Sequence, residues 1–312
     1  TSRCGEARRA SLLLSSAICL TMMAPGVAQA ACSPNPAQPG ERISCSGTET
    51  SRIVVRGGGA ELLVEQGATV AAADAAISIR IERSYSPYSQ VAPTTLQIDG
   101  NVGGGTSSAI ALMSFGNYGW TEATITVSST GRITGPTAID LQRPRSNGST
   151  GYELEYLRTA VELDNGGVIE SSTGGIAVRG SDDGRAYFSS IINRADGAIG
   201  AIQGRVDSII NEGMIDGGAL SAVTSEPGQS NFGFQSYISN SGTIRASGAA
   251  DTLGFRGSAN VYNDGAILAE GMGRAISGRN LTIVNGEGGS IVANHTAMMP
   301  EIRSTSPMKG LF

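Results

Sequence analysis

Apolar β-forming residues recur along this chain on both sides of a short polar corner with the pattern Asn-x-Gly-x-Ile. Apolar β-forming residues such as Ile209 and Ile210 precede most copies, so each unit is predicted to be a strand, a corner and a second strand. Successive copies are 18 to 29 residues apart, and a repeat of that length is typical of a solenoid. Clear, compressed or stretched copies begin at Asn165, Asn193, Asn211, Asn240, Asn263 and Asn285.

The residue types of the corner predict how successive units stack. Asn and Gly adopt left-handed backbone conformations at low cost, which suits a sharp corner between two strands. Asn side chains stacked in register can also pass hydrogen bonds from one turn to the next, as in other stacked strands. We therefore expect the six asparagines to form a ladder along the axis of a coil, with the Ile of each corner pointing inward.

A second recurring phrase is a small residue followed by an aliphatic one. It occurs as Ala109-Ile110, Ala138-Ile139, Gly175-Ile176, Ala201-Ile202, Ala219-Leu220 and Ala275-Ile276. Two inward aliphatic residues per unit predict two or three strands per turn. The fold class predicted is all-β, a right-handed parallel β-helix of nine or ten turns. The alternative is a β-sandwich with Asn-Gly hairpins, but hairpin proteins do not usually repeat one corner sequence at one spacing.

The repeat also divides the chain. Residues 51–294 are predicted to form the β-helix, with degenerate corner copies at 99–102 and 129–133. Residues 31–50 are predicted to form an N-terminal disulfide hairpin that caps it. Residues 295–312 contain no corner phrase and are predicted to be a linker or a truncated end.

Residues 1–30 have the pattern of a signal peptide. A basic start with Arg3, Arg8 and Arg9 precedes an apolar stretch, and an Ala-x-Ala site ends at Ala30. Cleavage between Ala30 and Ala31 is expected, which implies export through the inner membrane to the cell surface or the medium. The alternative is a lipoprotein signal that uses Cys32, although Gln29 stands where such signals usually carry Leu.

Cleavage would remove Cys4 and Cys19 and leave Cys32 and Cys45. An even pair of cysteines in an exported chain predicts a disulfide, which would close a small hairpin at the start of the coil. Two free or metal-binding thiols are the alternative.

Composition limits the class of function. Gly contributes 44 of 312 residues and charged residues only 16%, which fits an extended β-rich exported protein better than a helical enzyme. The net charge of −5 argues against nucleic acid, which requires a basic surface. Much of the aromatic content lies in five insertions that interrupt the repeat, at 83–93, 114–120, 143–156, 181–188 and 224–237.

Insertions in a solenoid map to loops, often on one binding face. Exposed Tyr and Trp side chains make good contacts with carbohydrates or proteins, so a surface ligand of either kind is a possible partner. The alternative is that these aromatic side chains only cover the outside of the coil.

Residues suited to catalysis or metal binding are scarce. The segment 105–109 resembles the nucleophile box of subtilisin-like proteases, but the single histidine, His295, follows the serine instead of preceding it. One His and few Cys exclude ordinary zinc sites. Asp182 and Asp183 could contribute to a calcium site, although a lone acidic pair in a loop is more often solvated. No cofactor, metal or catalytic residue is therefore predicted.

The signal peptide, the Cys32–Cys45 hairpin and the Asn-x-Gly-x-Ile coil together resemble the passenger region of bacterial autotransporters. They are also similar to pectin-lyase-like right-handed β-helices in general. The resemblance implies a non-catalytic surface or secreted protein that serves in adhesion or in contact with the host or with itself. Autotransporters attach to the outer membrane through a C-terminal β-barrel, and no barrel segment is expected within residues 1–312, so either the barrel follows residue 312 or the coil is exported alone.

A carbohydrate-active β-helix enzyme, a polysaccharide lyase or hydrolase, is the alternative function. It would require Asp or Glu side chains that converge from neighbouring turns.

Overall fold

The computed structural model describes residues 32–82, 92–115, 119–144, 157–225 and 235–294. This part of the chain contains strands and no α-helix, and every strand pairing within its sheets is parallel. The strands form three sheets of 10, 10 and 9 members. Consequently, no helix in the described ranges is of the kind that could cross a membrane.

Strands are numbered in chain order. Sheet 1 contains β1 (Arg42–Cys45), β4 (Glu61–Val64), β7 (Thr94–Ile98), β10 (Gly119–Val127), β13 (Leu157–Asn165), β16 (Ala186–Asn193), β19 (Ser208–Asn211), β22 (Gln235–Asn240), β25 (Ser258–Asn263) and β28 (Asn280–Asn285). Sheet 2 contains β2 (Thr48–Glu49), β5 (Thr69–Ala72), β8 (Asn101–Gly104), β11 (Arg132–Gly135), β14 (Val168–Ser171), β17 (Ala198–Ile199), β20 (Met214–Asp216), β23 (Thr243–Ala246), β26 (Ala266–Ala269) and β29 (Ser290–Ala293).

Sheet 3 contains β3 (Ile53–Arg56), β6 (Ile77–Glu82), β9 (Ile110–Phe115), β12 (Ile139–Leu141), β15 (Ile176–Arg179), β18 (Ala201–Gly204), β21 (Val223–Ser225), β24 (Leu253–Phe255) and β27 (Ile276–Ser277). Each strand pairs with the strand three places before it and the strand three places after it. Three consecutive strands therefore make one turn, and the described residues form nine complete turns and a tenth of two strands. The prediction of an all-β parallel β-helix is confirmed.

Columns of like side chains fill the interior of the coil. The Ile of each corner phrase points inward from sheet 2 and lies in register with the Ile of the next turn. Parallel strands give apolar side chains at one position the same neighbours above and below, so a continuous core forms along the axis. From the second turn to the tenth this column consists of Val70, Val102, Ile133, Ile169, Ile199, Ile215, Ile244, Ile267 and Ile291.

The second phrase begins the strands of sheet 3, but two of its predicted members are wrong. A register shift next to Ile176 places Val178 in line with Ile139 and Ile202. In the seventh turn Val223 occupies the column, whereas Leu220 lies in the loop between β20 and β21 of the same turn and is exposed. The buried pairs are thus 177–178 and 222–223.

A disulfide between Cys32 and Cys45 closes the N-terminal end of the coil. Beside it, Ser33 and Ser44 form an antiparallel bridge, and Ala37 bridges to Val55 in the first turn. Strands β1 and β2 already belong to sheets 1 and 2, so the coil begins at Arg42, inside the segment predicted to be a separate cap. The predicted signal peptide, with Ala30 and Ala31, and residues 295–312 lie outside the described residues.

Candidate functional site

The six asparagines of the corner phrase lie in one column at the end of sheet 1. The side-chain Nδ2 of each of the first five donates to the Oδ1 of the asparagine in the next turn, at 2.7 to 2.8 Å. The five lower asparagines are buried, and the last is half-buried. The ladder runs through Asn165, Asn193, Asn211, Asn240, Asn263 and Asn285.

Below the fifth turn the same column is apolar, because Val127, Ile98, Val64 and Cys45 occupy the ladder position. The degenerate corner copies at 99–102 and 129–133 thus follow an aliphatic residue instead of an asparagine. The ladder is a feature of the upper half of the coil alone, within the described residues.

These corners require glycine because each corner lies close to the backbone of the corner below, and not because the backbone there is left-handed. A Cβ on Gly213 would lie 2.3 Å from the carbonyl oxygen of Gly197, and one on Gly242 would lie 2.1 Å from that of Gly213. Neither glycine has a positive φ, and no other residue type in the described ranges has one. The expectation of left-handed corners at the asparagines is therefore wrong. The repeat needs Gly because each corner stacks directly on the backbone of the corner below.

All five insertions fall at one corner of the coil, where sheet 3 connects to sheet 1. They interrupt the connections from β6 to β7, β9 to β10, β12 to β13, β15 to β16 and β21 to β22. Large parts of four insertions, residues 83–91, 116–118, 145–156 and 226–234, lie outside the described residues. Their points of attachment nevertheless place every insertion along a single edge, which we call the loop edge.

The described aromatic side chains at the loop edge serve three different purposes. Phe188 is fully buried and belongs to the core. Tyr187 points outward from β16 but is also buried, and this burial raises its pKa above the ordinary value. Trp120, at the start of β10, is 54% exposed. Of these three, Trp120 alone is open to a ligand.

Cationic side chains hold Trp120 and Tyr187 in a cluster on the outer face of sheet 1. The two rings meet edge to face with centroids 6.4 Å apart. The Arg158 guanidinium lies 5.9 Å from the Trp120 centroid, and the Arg205 guanidinium lies 3.7 Å from the Tyr187 centroid. Such cation–π contacts are stabilising. Arg205 also donates to both carboxylate oxygens of Asp207, at 2.9 and 3.0 Å, so the cluster is rigidly held.

Farther along the same face, outward positions become apolar. The outward column next to the ladder holds Leu63 in the second turn and is polar in the third to fifth turns, with Gln97, Thr126 and Asp164 in register. From the sixth turn upward it continues as Ile192, Ile210, Ser239, Tyr262 and Val284. The Tyr237 ring lies beside that of Tyr262, with centroids 5.4 Å apart. We define the apolar stripe as Ile192, Ile210, Tyr237, Tyr262 and Val284.

Sequence reasoning missed this stripe because an aliphatic pair such as Ile209-Ile210 resembles a buried pair. The alternation of the strand supplies the missing signal: Asn211 points inward, so Ile210 must point outward and Ile209 inward.

Several outward carboxylates form ion pairs with arginines of neighbouring turns. Arg194 donates to both oxygens of Asp164, and Arg245 donates to Asp216 at 2.7 and 2.9 Å. Arg132 of sheet 2 pairs with Glu170 in the same way. These pairs link one turn to the next, so the structure gives these carboxylates a stabilising contact.

In the acidic loop that could have contributed to a calcium site, the Asp183 carboxylate is paired with protein groups. The Ser181 hydroxyl and the Arg185 backbone N–H donate to Oδ1 of Asp183. The guanidinium groups of Arg143 and Arg185 approach its Oδ2, at 3.0 and 3.7 Å. Two cations beside this carboxylate oppose a bound metal ion. Within the described ranges no group of three His, Cys, Asp or Glu side chains is placed to hold a metal.

Comparison with known proteins adds no family. No protein-family model matches the chain, and neither a curated protein nor a solved structure matches it significantly. The classification of this chain as a parallel β-helix therefore rests on its architecture alone.

Proposed function

We propose that this chain is an exported, non-catalytic β-helical protein of the autotransporter-passenger type, which makes contacts with a host surface or with other copies of itself. The observation that carries the proposal is the apolar stripe on the outer face of sheet 1.

The stripe is unusual for a solvent-facing sheet. Strands β16 to β28 are separated by four inter-strand steps, so the stripe extends for about 19 Å along the axis. Ile210 and Tyr262 are 37% and 38% exposed, and two adjacent tyrosine rings contribute rigid contact area. Ser239 interrupts the column between Ile210 and Tyr262, but the Tyr237 ring lies beside that of Tyr262. Exposed apolar surface with aromatic members is typical of protein–protein interfaces. A flat, rigid sheet can present them without rearrangement.

The charged residues support the same proposal. Asp164, Asp216 and Glu170 each pair with an arginine of a neighbouring turn, as structural carboxylates do. The insertions attach at the loop edge, which borders sheet 1, and solenoids commonly carry binding loops on one face.

Export is supported by two independent features. The first thirty residues have the sequence pattern of a signal peptide, and the Cys32–Cys45 disulfide is of the kind that persists in oxidising compartments. The cell surface or the medium is therefore the proposed location.

Attachment of coated beads tests the proposal. Beads carrying the purified protein are counted on cultured epithelial cells, and bead clumping is scored for self-contact. Replacing Ile210 and Tyr262 by Lys places two charges in the stripe, and we expect attachment or clumping to fall about tenfold or more, as loss of central contact residues does. The matched control replaces Met214 and Val292 of sheet 2, which are 37% and 45% exposed, by Lys and should attach like the wild type.

Two results would contradict the proposal. One is equal attachment by the stripe variant and its control. The other is turnover: release of reducing or unsaturated ends from pectin or alginate would identify the chain as a carbohydrate-active enzyme.

A further inference from the structure

We infer that Trp120 is the platform of a saccharide-binding site on sheet 1, at the loop edge, which takes a single pyranose ring. This site goes beyond the proposed function, because it lies on the lower half of the coil and does not involve the apolar stripe.

The indole of Trp120 is both exposed and fixed. Its ring leans across β13 toward Tyr187, which lies two strands away, about 9.6 Å across the sheet, and two residues farther along the strand direction. The centroids are nevertheless only 6.4 Å apart, because the intervening residue in line with Tyr187 is the small Ala160. Buried Tyr187 and the guanidinium of Arg158 therefore hold the indole, while 54% of Trp120 remains open to solvent.

Hydrogen-bonding groups surround this platform. Glu122 lies two residues after Trp120 on the same face of β10, which separates their Cα atoms by about 6.6 Å. Its side chain is exposed. Arg158 lies directly beside Trp120 on the next turn. A carboxylate acceptor and a guanidinium donor on two sides of an aromatic surface complement the hydroxyl groups around the rim of a sugar, while the C–H face of the ring stacks on the indole.

A track of polar residues continues from this site along the axis. Thr95, Thr124, Glu162 and Ser190 lie in register on four successive turns, and none of them is buried. Further hydroxyl and carboxylate groups thus lie within reach of any sugar attached to the first.

The polar surroundings favour a saccharide over a protein as the ligand. A protein interface requires an apolar core around its central aromatic residue. Beside the buried Tyr187 ring, the outward neighbours of Trp120 are instead the charged residues Glu122 and Arg158. A sugar ring is itself amphipathic, with apolar faces and a polar rim, and it matches one aromatic side chain set among charged and hydroxyl groups. The apolar stripe has the opposite composition, so the two regions of sheet 1 suit different ligands.

Trp120 is the sole tryptophan of the chain, so its intrinsic fluorescence reports directly on this site. The probes are methyl β-D-glucopyranoside, methyl β-D-galactopyranoside, N-acetyl-D-glucosamine and D-glucuronate, each titrated into the full chain. We expect a saturable change in emission with at least one probe, with a Kd on the order of 1 mM, as befits a small ligand on one platform. Free N-acetyltryptophanamide controls for non-specific effects of sugar on indole emission.

Variants separate binding from folding. Glu122→Gln keeps the indole and should weaken binding about tenfold, whereas Glu170→Gln on sheet 2 should bind like the wild type. Trp120→Ala should abolish the heat of binding in calorimetry, while Trp120→Phe retains part of it. The inference is overturned if no probe saturates at about 100 times the expected Kd. It is also overturned if N-acetylphenylalaninamide saturates the emission change and the sugars do not, because the platform would then take an aromatic side chain.

Discussion

The side-chain amide of Asn211 donates to the side-chain oxygen of Asn240 at 2.7 Å, and both residues are buried inside the coil. Asn240 in turn donates to Asn263 at the same distance. Each interior asparagine therefore accepts from the turn below and donates to the turn above. Hydrogen bonds aligned in this way polarise one another, and the ladder couples each turn to its neighbours.

Asn240→Ala should break this ladder in its middle. The substitution leaves the Nδ2 of Asn211 and the Oδ1 of Asn263 without their ladder partners in a buried site. Since each lost partner of a buried polar group costs about 1–3 kcal/mol, we expect the free energy of unfolding to fall by about 2–5 kcal/mol. Urea unfolding followed by circular dichroism measures this.

Asn285→Ala is the matched control, because it removes the half-buried last member of the ladder. The bond from Asn263 and the bond that Asn285 donates to the Gly289 carbonyl are lost there, but the site is only half-buried, so a smaller decrease of about 1 kcal/mol is expected. Equal losses in the two variants would show that the ladder contributes no more in the interior than at its end.

Gly242→Ala should destabilise the coil by steric conflict. The added Cβ would lie 2.1 Å from the carbonyl oxygen of Gly213, so the two stacked corners must separate. Overpacking of this kind costs about 1–3 kcal/mol or more. Gly254→Ala in β24 is the control, since its Cβ would meet no atom closer than 4.0 Å. A melting temperature that falls equally in both variants would refute close approach as the reason for the corner glycine.

The sequence predicts this fold well where its repeated phrases specify which side chains point inward, and poorly where they do not. The corner phrase specifies two inward positions, and Ile215, Ile244 and Ile267 could be placed in one column because the phrase fixes their distance from the corner. The loops that connect sheet 2 to sheet 3 differ in length from one turn of the coil to the next. As a result, the sequence phrase predicts Leu220 at the inward position of sheet 3 that Val223 occupies.

The candidate sites were harder to predict than the core. The sequence locates the insertions but not the fact that all five share one edge, which depends on the number of strands per turn. It also cannot distinguish exposed Trp120 from buried Phe188, because both occur in aromatic insertions. Their different exposure follows from strand alternation: Phe188 is in register with inward Val161, whereas Trp120 points outward.

Tyr187 should make stability depend on pH in the alkaline range. Burial raises the pKa of its hydroxyl in the folded state, so the folded protein keeps this proton at a pH where the unfolded chain loses it. The associated stability is complete below about pH 10, the ordinary pKa of tyrosine, and is lost as the pH rises through the folded-state pKa.

The test compares urea midpoints at about pH 8 and pH 11. The urea midpoint of Tyr187→Phe should fall less between the two pH values than the midpoint of the wild type does. Tyr237→Phe, at an exposed tyrosine, should retain the wild-type drop. If the Tyr187 and Tyr237 variants behave alike, the alkaline loss of stability originates elsewhere.

Reduction of the Cys32–Cys45 disulfide should loosen the first turns of the coil and leave the last turns unchanged. The bond closes a loop of 13 residues, which in the chain-entropy model contributes about 3 kcal/mol. Within sheet 1, strand β1 pairs only with β4, and its other side has only the bridge from Ser33 to Ser44, so the disulfide is a main restraint on that end. Because each turn of a solenoid contacts only its neighbours, the effect should decay along the axis.

Hydrogen exchange measured by mass spectrometry, with and without reductant, resolves this gradient. We expect faster exchange in β1 and β4 after reduction and equal exchange in β25. The variant with Cys32→Ala and Cys45→Val provides the control: Val continues the aliphatic column of Val64, and reductant should then change nothing. Faster exchange throughout the coil would mean that the turns unfold as a single unit, because the loss of one end would then be felt at the other.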